Sequence, residues 1–125
     1  MKSPSEKKIL VCGSRHFDDM VHMTAVLEHH WPMKEIIEGE AMGADKCARL
    51  WAENRGIPVR RFPADWKKYG KAAGPIRNKQ MLDEGHPDLV IAFLGPNSRG
   101  TKNMISQAQK AGVEVEIIPI GAAAL

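Results

Sequence analysis

The sequence lacks long hydrophobic runs and has few cysteines, and both absences narrow the class of protein. No apolar stretch approaches the roughly 18–20 residues that a membrane span needs, and residues 1–8 contain no apolar signal-peptide core. Its two cysteines, Cys12 and Cys47, lie at apolar positions and are typical of buried thiols rather than of a disulfide framework. We therefore expect a cytoplasmic protein that does not associate with membranes, with a flexible tail at residues 1–7.

The sequence also lacks a strong overall charge, but its basic residues are unevenly placed. The 125 residues are 43% hydrophobic and 26% charged, with a formal net charge of +3, which suits one soluble domain spanning residues 1–125 with a core at about 8–118. Between Arg60 and Lys79, seven basic residues face one acid, a local charge of +6. This basic patch favours an anionic ligand such as a nucleotide or nucleic acid, although a merely solvated surface has the same composition.

Strand patterns and helix patterns alternate along the chain and predict an α/β fold. Apolar or alternating segments predict strands at 9–12, 35–39, 59–62, 89–94 and 113–117, and helical spacing predicts helices at 20–30, 43–55, 76–84 and 101–111. Residues 63–75 are rich in glycine and proline and predict an irregular loop. The alternation predicts a three-layer domain with a five-stranded, mainly parallel sheet. The first and fourth strands are the most apolar and should be central, giving the order 3-2-1-4-5 and a ligand site at the strands' carboxyl ends.

Three predicted turns at that edge contain residues suited to binding an anion. They are Gly13-Ser14-Arg15 after the first strand, residues 39–45 after the second and residues 98–101 after the fourth. Glycine lets a phosphate approach the backbone, helix N-termini expose unpaired N–H groups, and hydroxyl and guanidinium groups add donors. Asp45 and Thr101 also have purely structural explanations, as a first-turn carboxylate and a helix cap.

A fourth segment, Gly74-Pro75-Ile76-Arg77-Asn78, presents polar side chains at a predicted helix start. Arg77 is able to pair with a phosphate through two hydrogen bonds or to reach a ribose, and a solvated arginine is the alternative. We predict that the ligand or its phosphate contacts residues from all four segments: Gly13, Ser14, Arg15, Gly39, Glu40, Gly43, Ala44, Asp45, Arg77, Asn78, Arg99, Gly100 and Thr101.

Together with Phe62-Pro63-Ala64-Asp65-Trp66, these segments resemble the SLOG superfamily, and most of all its YspA and cpYpsA-related group. The resemblance extends over about residues 8–118. It implies a Rossmann-like domain that binds nucleotides or nucleotide-derived ligands, and homo-oligomers (dimers or larger) that pair through helices. Met20, Met23 and Trp31 are candidates for such a surface, with a core stripe as the alternative for the methionines. Because functions vary within the superfamily, the resemblance does not identify the activity.

The chain departs from the family pattern at two places that bear on catalysis. Glu40 stands where the family commonly has the second of two adjacent glycines. The phosphoribohydrolase relatives have a catalytic glutamate shortly after a Gly-Thr pair, whereas Gly100-Thr101 is followed here by Lys102-Asn103-Met104. If the protein is an enzyme, Arg77, Glu40 and Asp45 are its catalytic candidates, since Arg77 matches the family's catalytic arginine and the carboxylates could stabilise an oxocarbenium-like sugar.

Three functions therefore stay open at this stage. The favoured one is a sensor or carrier that binds a nucleotide-like small molecule. The others are hydrolysis of the N-glycosidic bond of nucleoside 5′-monophosphates, and binding of single-stranded nucleic acid through the basic patch with Trp66 and Tyr69 as stacking platforms. No cofactor is expected, and no metal site, because His29 and His30 are adjacent and no metal-ligand spacing occurs.

Overall fold

The computed structural model describes residues 3–121, and a five-stranded parallel sheet forms its centre. The strands are β1 Lys8–Gly13, β2 Glu35–Glu38, β3 Val59–Arg61, β4 Leu89–Leu94 and β5 Glu114–Pro119. The helices are α1 Met20–His29, α2 Ala44–Asn54, α3 Trp66–Tyr69, α4 Ala73–Gly85 and α5 Arg99–Lys110, with short 3-10 helices at Pro4–Glu6 and Gly70–Ala72. The strand order is β3-β2-β1-β4-β5, and all four pairings are parallel. The predicted fold class and strand order are both confirmed.

Alternating side chains of the central strands pack into two separate hydrophobic cores, one on each face of the sheet. Ile9 and Val11 of β1 pack into a core with α1 and α2, whereas Leu10 and Cys12 pack into a core with α4 and α5. Because successive strand residues point to opposite faces, a continuous apolar run fills both layers. Each fully buried aliphatic side chain contributes about 1.5–3 kcal/mol to folding. The sheet is therefore covered on both faces, and its carboxyl edge is left open for a site.

The segment 63–75 is ordered rather than an irregular loop, so that prediction was wrong. Asp65 begins α3 by accepting a hydrogen bond from the backbone N–H of Lys68 at 3.1 Å. Pro75 lies in the first turn of α4, where a missing N–H removes no helical hydrogen bond. Glycine and proline are typical of loops, whereas here they accompany helix starts.

The structure also tests the predictions for the two cysteines, for the candidate dimer surface and for membrane spans. Cys12 and Cys47 are buried free thiols, as predicted. Met23 is fully buried in the α1–α2 core, so it cannot form part of a dimer surface, while Trp31 is 44% exposed and contacts Trp51 edge-on. Of the predicted tail, residues 1 and 2 lie outside the described part of the chain, as do residues 122–125 at the other end. None of the helices within residues 3–121 has the length and apolarity that a bilayer crossing requires.

Candidate functional site

A cleft of about 630 Å³ opens at the carboxyl ends of β1 and β4, where the sequence predicts a ligand site. The turn after β1, the loop after β2, the start of α4 and the loop before α5 all contribute to its walls. Nine of the predicted site residues line it: Gly13, Ser14, Arg15, Asp45, Arg77, Asn78, Arg99, Gly100 and Thr101. The topology thus brings together residues that are up to 88 positions apart in the chain.

Gly43 and Ala44 do not line the cleft; they attach the β2–α2 loop to the turn after β1. The backbone N–H of Ala44 donates to the carbonyl oxygen of Ser14 at 3.1 Å. Gly43 has φ +79°, and a Cβ at this position would overlap the carbonyl of Ser14 and the backbone of Arg15. Only glycine fits this combination of left-handed backbone and close approach. The glycine that the sequence suggested for phosphate contact therefore makes room for protein backbone.

Gly39 also lies outside the cleft lining, and its role is to accommodate Arg77. A Cβ on Gly39 would lie 2.5 Å from Nη1 and 2.8 Å from Cζ of the Arg77 guanidinium. In that space Nη1 donates to the carbonyl oxygen of Gly39 at 2.5 Å. The absence of a side chain at residue 39 therefore fixes the position of a cationic group in the cleft wall.

Two buried carboxylates hold the β2–α2 loop in shape. Oδ2 of Asp45 accepts hydrogen bonds from the backbone N–H groups of Gly39 (3.1 Å) and Ala41 (3.2 Å). Oε1 of Glu38, a residue that the sequence analysis did not single out, accepts from the N–H of Glu40 at 2.5 Å. Burial raises the pKa of Asp45 above its ordinary range and raises the pKa of Glu38 to about 7. Asp45 thus anchors the loop while its side chain also lines the cleft.

Glu40 lies outside the cleft lining and is exposed, with its carboxylate 3.8 Å from Arg61. Its backbone has φ +56°, a left-handed conformation that is unfavourable for residues with a side chain. This conformation gives a physical reason for the glycine that the family commonly has here. Of the three catalytic candidates, the structure places Arg77 and Asp45 in the cleft and Glu40 outside it.

Asn78 connects Arg77 to the start of α5. It is buried, its Oδ1 accepts from Nε of Arg77 at 3.0 Å, and its Nδ2 donates to the carbonyl oxygen of Gly100 (3.2 Å) and to Oδ1 of Asn103 (3.1 Å). Gln107 completes this network by donating to the same Asn103 oxygen at 2.7 Å. Both the oxygen and the nitrogen of the Asn78 amide therefore form hydrogen bonds within the protein. It positions its neighbours rather than offering a free donor to a ligand.

The first turn of α5 presents unpaired donors to the cleft. The first α-helical bond there is from Lys102 N–H to the carbonyl oxygen of Ser98, at 3.0 Å. Within residues 3–121, the N–H groups of Gly100 and Thr101 have no protein acceptor, as expected for the first turn of a helix. A Cβ on Gly100 would meet no atom within 4 Å, so the approach to this turn is open.

One aromatic residue outside the predicted ligand-site set lies in the cleft. Trp66, which the sequence places in a family motif and in the basic patch but not among the predicted ligand-site residues, lines the cleft and is 59% exposed, whereas Tyr69 does not line it. Its place in the motif at residues 62–66 was the one sequence signal for this residue, but without α3 that signal did not indicate where the indole lies. Cys12 and Met81 also contribute, at the apolar base of the site. Burial raises the pKa of the Cys12 thiol, which keeps it protonated and unreactive.

Comparisons with known proteins agree with the motifs. A family model described as "YAcAr: YspA, cpYpsA-related SLOG family" matches residues 7–69, about half of the chain. The Gene 61 protein of Mycobacterium phage D29 is 34% identical over an alignment 118 residues long. The match covers 87% of this chain and 94% of the phage protein. The phage protein's name states no activity. The chain therefore belongs to the YspA, cpYpsA-related SLOG family, and that membership indicates a nucleotide-related role.

Proposed function

We propose that the protein binds a nucleotide or nucleotide-derived small molecule in the 630 Å³ cleft, as a sensor or carrier. The observation that carries this proposal is the cleft's imbalance of charge. Arg15, Arg77 and Arg99 line it, against the single carboxylate of Asp45. Such a concentration of guanidinium donors in a concave site favours a ligand with at least one phosphate.

The phosphate is assigned to the first turn of α5. The unpaired N–H groups of Gly100 and Thr101 lie at the positive end of the helix dipole, and Arg99 begins the same turn. Gly100 leaves the backbone accessible. This arrangement supports phosphate binding without any metal ion.

Arg77 supplies a preorganised cation. Nη1 is held by Gly39 and Nε by Asn78, so two of the five guanidinium N–H groups are engaged with protein and the others are available to a ligand. Because the side chain is already fixed, little rotamer entropy is lost on binding. We assign Arg77 to the phosphate or to the ribose beside it.

Trp66 distinguishes a nucleotide from a simple inorganic anion. Its exposed indole borders the same cleft, and a base stacked on an aromatic ring gains about 1–3 kcal/mol. Tyr69 and every basic-patch residue other than Arg77 lie outside the cleft lining. The cleft therefore suits a compact nucleotide better than a long single strand.

Isothermal titration calorimetry with nucleoside 5′-monophosphates and diphosphates tests the proposal. Removing a hydrogen-bonded charge costs about 1.5–3 kcal/mol, so Arg77→Ala should weaken binding about 10- to 150-fold. Lys79→Ala is the matched control: it removes the same charge from α4 at a side chain that is 69% exposed and paired with Asp83. Trp66→Ala should weaken binding and Tyr69→Ala should not.

Two results would refute nucleotide binding at this cleft. One is the absence of heat with every nucleotide of the series. The other is an equal loss of affinity in Lys79→Ala and Arg77→Ala, because only general electrostatic attraction would then be at work.

N-glycosidic hydrolysis is the second candidate function, and the observation that favours it is the carboxylate of Asp45 in the same cleft as Arg77. A carboxylate beside the sugar is what stabilisation of an oxocarbenium-like transition state requires. Chromatography of nucleoside monophosphates after long incubation checks this: free base that disappears in Asp45→Asn supports hydrolysis, and unchanged nucleotide in the wild type excludes it for the nucleotides tested.

A further inference from the structure

A second cavity, of about 540 Å³, adjoins the cleft on the other side of the turn after β1. It lies between the start of α1 and the segments that follow β4 and β5. Ser14, His16 and Pro96 line both spaces, so these residues form the partition between them. None of the predicted site residues except Ser14 borders the second cavity.

The walls of this cavity differ in character from those of the cleft. Phe17 and Ile120 supply apolar surface, and the ring of His22 stands edge-on to Phe93 at 5.8 Å. Phe17 in turn packs on Phe93 with ring centroids 4.9 Å apart. A flat ring would therefore meet a preformed apolar and aromatic wall.

Its charge is opposite to that of the cleft. Asp18 and Asp19 line the cavity, and among residues 3–121 no lysine or arginine does. Asp19 is occupied as the cap of α1, since its Oδ1 accepts from the N–H of His22 at 3.0 Å. Asp18 is exposed and has no hydrogen-bond partner within residues 3–121. A phosphate is disfavoured beside two carboxylates, whereas a ring with N–H donors is favoured.

We propose that the second cavity is a subsite for the distal part of the same ligand: a nitrogenous ring joined through the phosphate group to the nucleotide held in the cleft. The ligand class is then a nucleoside diphosphate that carries a second ring-containing group on its terminal phosphate. This inference rests on the proposed function, because it takes the cleft as the phosphate and nucleoside site. Of the two adjoining spaces, the one lined by arginines matches the nucleoside diphosphate, and the one lined by aspartates matches a ring with N–H donors joined to it.

Calorimetry with two probes tests the subsite: a nucleoside diphosphate, and the dinucleoside diphosphate of the same base. The dinucleoside compound should bind about tenfold more tightly, which corresponds to about 1.4 kcal/mol and lies within the range for a base stacked on an aromatic ring. Asp18→Ala should reduce this preference about threefold or more, through loss of a charge-assisted hydrogen bond, and leave the affinity for the nucleoside diphosphate unchanged. Glu114→Ala, which removes an exposed carboxylate of β5 outside the cavity, is the control and should keep the preference.

The outcomes separate the two proposals. Equal affinity for both probes, or a preference that is undiminished in Asp18→Ala, overturns the subsite while nucleotide binding in the cleft stands. A preference lost equally in Asp18→Ala and Glu114→Ala also overturns it, because general charge would explain both losses. If neither probe binds, the proposed function itself has failed and the subsite falls with it.

Discussion

Replacing Gly39 by alanine tests the central geometric relation of the site, the close contact between residue 39 and Arg77. A Cβ at this position would lie 2.5 Å from Nη1 of Arg77, well inside contact distance, so the guanidinium must move. The backbone of Gly39 is not left-handed, so alanine brings no conformational strain of its own. The clash is with the far end of a long side chain, which can swing away without disturbing the sheet.

The expected cost follows from the hydrogen bond that is lost. A bond from a charged donor such as Nη1 to the Gly39 carbonyl is worth about 1.5–3 kcal/mol. Glycine-to-alanine replacement restores about 0.4–1 kcal/mol by restricting the unfolded chain. We therefore expect Gly39→Ala to lower the free energy of unfolding by about 1–2 kcal/mol. Ligand affinity should fall about as far as in Arg77→Ala, because the displaced guanidinium no longer faces the cleft.

Urea denaturation and calorimetry on a double-mutant cycle provide the measurement. In an Arg77→Ala background, Gly39→Ala should be neutral or slightly stabilising and should not weaken binding further. Gly74→Ala is the control, since its Cβ would lie 3.5 Å from Trp66, an ordinary contact, within a helix that alanine favours. Additive effects of Gly39→Ala and Arg77→Ala would refute the reasoning, as would wild-type stability and affinity in Gly39→Ala.

Two further predictions concern the same loop. Because the folded protein raises the pKa of Glu38 from its ordinary value of 4.5 to about 7, the native state binds this proton more tightly than the unfolded chain. The contribution of Glu38 to stability should therefore fall by about 3 kcal/mol as pH rises through that window. Denaturation at pH 4.5 and pH 8 should show a smaller decrease for Glu38→Gln than for the wild type, and equal decreases would contradict the assignment. Glu40→Gly should be about 1 kcal/mol more stable than Glu40→Ala. Both variants remove the carboxylate, but only glycine adopts φ +56° without steric strain. Equal thermal midpoints of the two variants would count against strain at residue 40.

The residue pattern along the chain predicts the fold, the strand order and the edge of the sheet at which the candidate site lies. Apolar runs long enough to fill both layers identified β1 and β4 as central strands, and the polar β3 and half-exposed β5 as edges. Once the strand order is known, the turns after β1, β2 and β4 must share one edge of the sheet. Local sequence is enough to rank the strands from centre to edge, because a strand that is buried on both faces must be apolar at every position.

Which residues face the cleft and which support it becomes visible in the folded arrangement alone. The glycine-rich loop after β2 resembles the cleft-lining turns in sequence, yet three of its residues contact protein and do not line the cleft. Gly39 lies against Arg77, and Gly43 and Ala44 lie against the turn after β1. Trp66 lines the cleft from α3, a helix that the glycine- and proline-rich sequence around it did not predict. The second cavity lies between segments that are over one hundred residues apart in the chain. Contacts of this kind depend on distances between elements that are remote in the chain, and no local pattern of residues records such distances.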